Sequence, residues 1–240
     1  MPLLAPVQTR DRLIVALDVP NARAASQLVQ QIGEHAGIYK IGLQLFTAEG
    51  PDLVRDLVAS GYRIFLDLKL HDIPNTVAGA VKSALSLGAS MLTVHASGGS
   101  EMLRAATEAA AGKVSVLAVT VLTSLDESDL IETGVDSGLA EQAVRLALLA
   151  QSVGCPGVVT SPREVREVRQ ACGPGLVIVT PGVRPIGSAK DDQERTATPA
   201  QAIAAGASHI VVGRPITRAE NPAQAAQAVL AEMAEAQPGL

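Results

Sequence analysis

The chain has 240 residues, 48% of them hydrophobic, which is enough for one large core and suits either a single α/β barrel or two smaller domains. A formal charge of −5, with two Tyr, two Phe and no Trp, argues against a nucleic-acid partner, which calls for a basic face and aromatic stacking platforms. Cys155 and Cys172 have neither CxxC spacing nor a neighbouring His pair, so they suggest no zinc site and no disulfide framework and read as small buried hydrophobes.

Taken in chain order, residues 1–10 lack a basic start followed by an apolar run, and no later segment approaches the roughly 18 apolar residues of a membrane span. A cytoplasmic protein with no membrane partner is expected. Short apolar runs then recur at residues 13–18, 37–43, 63–69, 91–95, 114–121, 157–160, 176–180 and 209–213, each followed by Ala, Leu and Val at helical spacing. Such runs, apolar on both faces and separated by helix-length segments, indicate parallel strands covered by helices. Helix starts are marked by Pro20-Asn21 before 22–31, Pro74 before 75–87, Ser161-Pro162 before 163–171 and Pro199 before 200–205. Helix ends are marked by Gly33, Gly61, Gly88, Gly112, Gly154, Gly173 and Gly206. Eight strands and eight helices in this length fit a (β/α)₈ barrel of residues 1–240 as one domain, although a doubly wound sheet could be drawn from the same pattern. Residues 181–198, rich in Gly, Asp, Arg and Ser, form the longest non-periodic stretch and are expected to be a functional loop.

Charged residues inside strand-like runs are unusual, because an unpaired buried charge costs several kcal/mol or more. Here they gather at C-terminal ends: Asp18, Lys40, Asp67, Lys69 and His95. In a barrel that end carries the chemistry. Strand alternation puts Asp67 and Lys69 on one side, toward the interior, with Leu66 and Leu68 toward the helices. An Asp and a Lys held side by side favour each other's charged forms. A structural ion pair would explain those two alone, but four alternating charges at one mouth are poorly explained by stability, since buried ionic networks are rarely better than apolar packing. Asp72 lies past the strand end and can turn over the same mouth or toward another subunit. His71 and His95 lack ligand spacing and read as hydrogen-bonded core or loop residues. Ser97-Gly98-Gly99-Ser100 fits an anion nest and a helix-start turn equally well.

The segment Asp67-Leu-Lys-Leu-His-Asp72-Ile-Pro-Asn-Thr76 resembles the catalytic signature of the orotidine 5′-phosphate decarboxylase family. The likeness continues through Leu-Asp18, Tyr-Lys40-Ile-Gly, Thr-Val-His95-Ala, Val-Leu-Thr123-Ser, Thr-Pro181-Gly-Val-Arg184-Pro and Val-Val-Gly213-Arg214-Pro. It implies a (β/α)₈ barrel that converts orotidine 5′-phosphate to UMP and CO₂ with no cofactor and no metal. It also implies a homodimer with shared sites, in which Asp67, Lys69 and Lys40 of one subunit meet Asp72 and Thr76 of the other. Asp18 and Lys40 are then expected on ribose hydroxyls and Thr123 on the pyrimidine. Pro181, Arg184, Gly213 and Arg214 line the phosphate end, with Gln193 on a mobile loop at 181–198 that grips the phosphate. Independently of the resemblance, Gly213-Arg214 after the last strand offers amide donors and a bidentate guanidinium where barrels commonly bind phosphate. Two rivals stand beside this reading. One is a Mg²⁺-dependent sugar-phosphate decarboxylase or aldolase on the same barrel, needing carboxylates set as metal ligands. The other is a non-catalytic barrel that senses nucleotide phosphates.

Overall fold

The computed structural model describes residues 8–186 and 196–236. Eight parallel strands pair in chain order: β1 (Leu13–Ala16), β2 (Ile38–Gly42), β3 (Ile64–Leu70), β4 (Met91–His95), β5 (Ser115–Val119), β6 (Gly157–Val159), β7 (Val177–Thr180) and β8 (His209–Val212). Closure decides between the two architectures that periodicity left open, because β8 pairs back onto β1 with Leu13 opposite Ile210 and Val15 opposite Val212. A doubly wound sheet would have ended in two edges. The expected (β/α)₈ barrel is what forms.

Among the described residues, α-helices are α1 (Ala22–Ile32), α2 (Leu43–Ala59), α3 (Pro74–Ser86), α4 (Gly99–Ala110), α5 (Glu127–Glu132), α6 (Leu139–Ser152), α7 (Val165–Cys172), α8 (Pro199–Ala204), α9 (Arg214–Thr217) and α10 (Pro222–Glu235). Eight of them alternate with the strands as expected. The short α5 and α9 are additions, inserted where the chain leaves β5 and β8 at the C-terminal mouth. Asn21 caps α1 by accepting the Ala24 N–H, and Thr198 closes a capping box with Gln201 at the start of α8. All seven expected helix-stop glycines have positive φ. At Gly206 (φ 108°) a Cβ would also lie 2.9 Å from the Arg169 side chain, so both backbone and space call for glycine there.

Period-two alternation divides the apolar residues into two layers. Ile14, Ala16, Ile38, Phe65, Met91, Leu117, Val179 and Val211 fill the barrel, while Leu13, Val15, Tyr39, Ile41, Leu66, Leu92 and Val94 pack outward against the helices. The interior is dense enough that a Cβ on Gly157 would lie 2.6 Å from the Val177 carbonyl oxygen. Polar groups tie the N-terminal end: Arg169 donates to the carbonyls of Gly173, Leu176 and Gly206, and Arg12 to those of Ala207 and Ser208. His209 opens β8 on the same side as Val211 and is 1% exposed. Burial, reinforced by the cations of Arg12 and Arg63 and opposed by Asp11, pushes its pKa down to about 4.

Candidate active site

At the opposite end the same alternation that fills the barrel supplies charge instead. Lys40 lies two residues after Ile38, Asp67 two after Phe65, and Asp18 two after Ala16, just beyond the last paired residue of β1. They form one chain of alternating sign. Lys40 Nζ lies 3.2 Å from Asp18 Oδ1 and 3.5 Å from Asp67 Oδ2, and Lys69 Nζ donates to Asp67 Oδ1 at 2.8 Å. Asp67 and Lys40 are the buried members, with side chains 14% and 11% exposed, whereas Lys69 and Asp18 open toward solvent. Burial alone would raise the Asp67 pKa. The ammonium groups of Lys40 and Lys69, with hydrogen bonds from Lys69 and Thr93, more than offset that and leave it below the ordinary 3.8.

Lys69 reaches this position through an irregular backbone. Leu66 is opposite Leu92 and Leu70 opposite Val94, so β3 advances four residues while β4 advances two. The surplus bulges at Asp67-Leu68-Lys69, and Lys69 has φ of 50°, a left-handed conformation that is uncommon for a residue with a Cβ. Leu66 and Leu68 still pack outward, as alternation predicts. Thr93, fully buried on β4, accepts the Lys69 N–H at 2.9 Å and donates to Asp67 Oδ1 at 3.0 Å.

These charges line a cleft of about 250 Å³ whose floor includes Phe65, Val119, Val159 and Val211. Thr123, Pro181, Arg184, Gly213 and Arg214 line it as well, so the structure gathers the residues expected around ring, ribose and phosphate at one mouth. Asp72 and Thr76 are not brought there by their own chain. Both belong to an exposed stretch, residues 71–76, in which Ile73 is 66% exposed. Asp72 accepts the neighbouring Ile73 N–H at 2.6 Å, and Ile73 is the N-cap of α3, with no side-chain cap. Gln193 lies outside the described residues. The base of the 181–198 segment is described: Arg184 N–H donates to the Ala197 carbonyl, and Glu232 on α10 accepts the Ile186 N–H.

His71 and His95 stack with ring centroids 5.4 Å apart, and burial, then His71 and Lys69, lowers the His95 pKa. Among the described residues no three His, Cys, Asp or Glu side chains are grouped to hold a metal ion. Among the described residues, the carboxylates lining the cleft are Asp18 and Asp67, each engaged by lysine. Ser97 and Gly98 end a 3₁₀ turn and Gly99 and Ser100 begin α4, and none of the four lines the cleft.

The sequence pattern of the Orotidine 5′-phosphate decarboxylase / HUMPS family matches residues 11–229. The chain belongs to that family. It is 51% identical over 236 residues to Orotidine 5′-phosphate decarboxylase of Moorella thermoacetica, covering 95% of this chain and 94% of that one. To the enzyme of the same name from Halorhodospira halophila it is 54% identical over 228 residues, covering 94% and 97%. The crystal structure of Orotidine 5′-phosphate decarboxylase from Lactobacillus acidophilus superposes with a TM-score of 0.82 at 39% identity, covering 92% of this chain and 98% of that one. Within this family member, sequence reasoning missed the β3 bulge, the hydrogen bonds of Thr93 and the apolar floor. A buried Thr between apolar neighbours on a strand looks like ordinary β-propensity.

Proposed function

We propose that the protein is a carboxy-lyase that converts orotidine 5′-phosphate to UMP and CO₂ in pyrimidine nucleotide synthesis, without a cofactor. The observation that carries this reading is the Lys69 ammonium, held 2.8 Å from Asp67 within the Asp18, Lys40, Asp67, Lys69 series at the mouth of the cleft. Loss of CO₂ leaves the electron pair of the broken C6–C bond in an in-plane orbital that the ring cannot delocalise. An ammonium beside C6 stabilises that charge in a water-poor pocket and then gives its proton to carbon. Lys69 regains a proton from solvent to complete the cycle. Asp67, kept ionised by its two lysines, aims the ammonium. Asp18 and Lys40 bind ribose hydroxyls, and Thr123 contacts the pyrimidine. Pro181, Arg184, Gly213, Arg214 and Gln193 of the 181–198 loop hold the phosphate, whose binding energy serves chemistry at the distant ring.

We also place the active unit as a homodimer in the cytoplasm. The exposure of Asp72, Thr76 and the apolar Ile73 supports their insertion into a second copy's site. Two cysteines left unpaired fit a reducing compartment. A Mg²⁺-dependent sugar-phosphate activity finds no support in carboxylates already engaged by lysine. The test is the fall in orotidine absorbance when purified protein meets orotidine 5′-phosphate in excess EDTA. Wild type should turn over, and Lys69→Ala should lose several orders of magnitude in kcat with an unchanged fold, as expected when an aimed electrostatic group is removed. Retention of more than about a tenth of kcat, far above the loss expected for such a group, would remove Lys69 from the mechanism.

A further inference from the structure

Lys69 is fastened at both ends by the same small network. Its backbone N–H donates to Thr93 Oγ1 at 2.9 Å, Thr93 Oγ1 donates to Asp67 Oδ1 at 3.0 Å, and Asp67 Oδ1 accepts Lys69 Nζ at 2.8 Å. The path begins and ends on one residue. The direction of each bond is fixed by chemistry: an amide only donates and an ionised carboxylate only accepts, so the Thr93 hydroxyl proton must point at Asp67.

Position matters as much as connectivity. Between Leu66 and Leu70 the regular β3–β4 register is broken, and there the Lys69 N–H is met by a side chain from β4. Lys69 simultaneously takes a left-handed φ of 50°, which an L-residue adopts only where its surroundings impose it. Thr93 is fully buried, and its branched Cβ restricts χ1, so the hydroxyl is presented rigidly.

We infer that Thr93 is a positioning residue: its hydroxyl holds the β3 bulge in the shape that aims the Lys69 ammonium and keeps the Asp67 carboxylate in register with it. This rests on the decarboxylase reading for its effect on turnover, but not for its effect on Asp67. Removing the hydroxyl takes a partner from the Lys69 N–H and a donor from a carboxylate that burial already disfavours.

The experiment compares Thr93→Val, which keeps the shape without the hydroxyl, with Thr93→Ser, which keeps the hydroxyl. Val should lower kcat on the order of 10²-fold, the scale expected for misplacing a reacting group, with KM little changed. The acidic limb of its pH profile should move to higher pH, because Asp67 then protonates more readily. Ser should remain near wild type on both measures. Should Val fail to fold, Ser and Ala form a second pair that share the lost methyl and differ in the hydroxyl, and only Ala should be impaired. Titration of the Asp67 carboxyl by ¹³C NMR, without substrate, should give a higher pKa in the hydroxyl-free variant than in wild type or Ser. A hydroxyl-free variant with wild-type kcat and an unmoved Asp67 titration overturns the inference, as does equal impairment with and without the hydroxyl. Wild-type protein that leaves orotidine 5′-phosphate unchanged would refute the decarboxylase reading, while the NMR titration still decides the role of Thr93.

Discussion

His209 ties the stability of the barrel to pH at the end remote from the cleft. Its imidazole is 1% exposed, and Nδ1 has no hydrogen-bond partner among the described residues, so the folded state admits the neutral form and resists the charged one. Above pH 6.5 both folded and unfolded chains carry neutral imidazole, and the full stability is present. Below 6.5 the unfolded chain takes up a proton that the folded chain refuses, and stability falls until about pH 4, where the folded imidazole also protonates. The span from 6.5 to about 4 is roughly 2.5 pH units, and at 1.36 kcal/mol per unit the loss is about 3 kcal/mol. That is a large part of the 5–15 kcal/mol typical of a folded domain. Urea denaturation at fixed protein concentration, repeated from pH 7.5 to pH 4, measures it. Wild type should lose about 3 kcal/mol more over this range than His209→Gln, whose side chain does not titrate. Parallel pH dependence in the two proteins would refute the argument, because groups that titrate elsewhere cancel in the difference.

Arg214→Ala should weaken orotidine 5′-phosphate strongly yet barely change the slow reaction of phosphate-free orotidine, since a guanidinium that grips phosphate has nothing to lose when phosphate is absent. Equal losses for both substrates in steady-state kinetics would place Arg214 at the reacting end or in the fold. Mixing inactive Lys69→Ala subunits with inactive Asp72→Ala subunits should restore about one quarter of wild-type activity, because random exchange makes half of the dimers mixed and each mixed dimer has one intact site. If Asp72 serves only its local bond to the Ile73 N–H, a mixture with verified subunit exchange stays inactive.

Inward and outward faces were legible wherever strands are regular. Ile14, Ile38 and Phe65 fall inside and Leu13, Tyr39 and Leu66 outside, as period-two alternation requires. The same rule brought Lys40 and Asp67 into one cleft. It could not reveal that β3 and β4 lose register after Leu66, because bulges are set by pairing between strands and leave no local pattern. Nor did it single out Thr93, whose significance lies in Asp67 and the Lys69 backbone, both remote in the chain. The short α5 did carry a readable signal, since Asp126 and Asp129 form a capping box around Glu127-Ser128, but six residues are too few for helical periodicity to stand out. Pro215 in the first turn of α9 is a comparable sign.

The backbone at Lys69 also says something about how this sequence was chosen. A left-handed φ disfavours any L-residue relative to glycine by roughly 1–2 kcal/mol, so a procedure that optimised residues for thermal robustness alone would write glycine at position 69 and erase the amine. The chemistry proposed for its ammonium would account for a lysine kept against that preference, whereas Ala111, with φ of 48° at the end of α4, owes the same backbone to an ordinary helix end. In an orphan (β/α)₈ barrel, a charged L-residue in the left-handed region at the C-terminal end of a strand is therefore the first place to search for the reacting group.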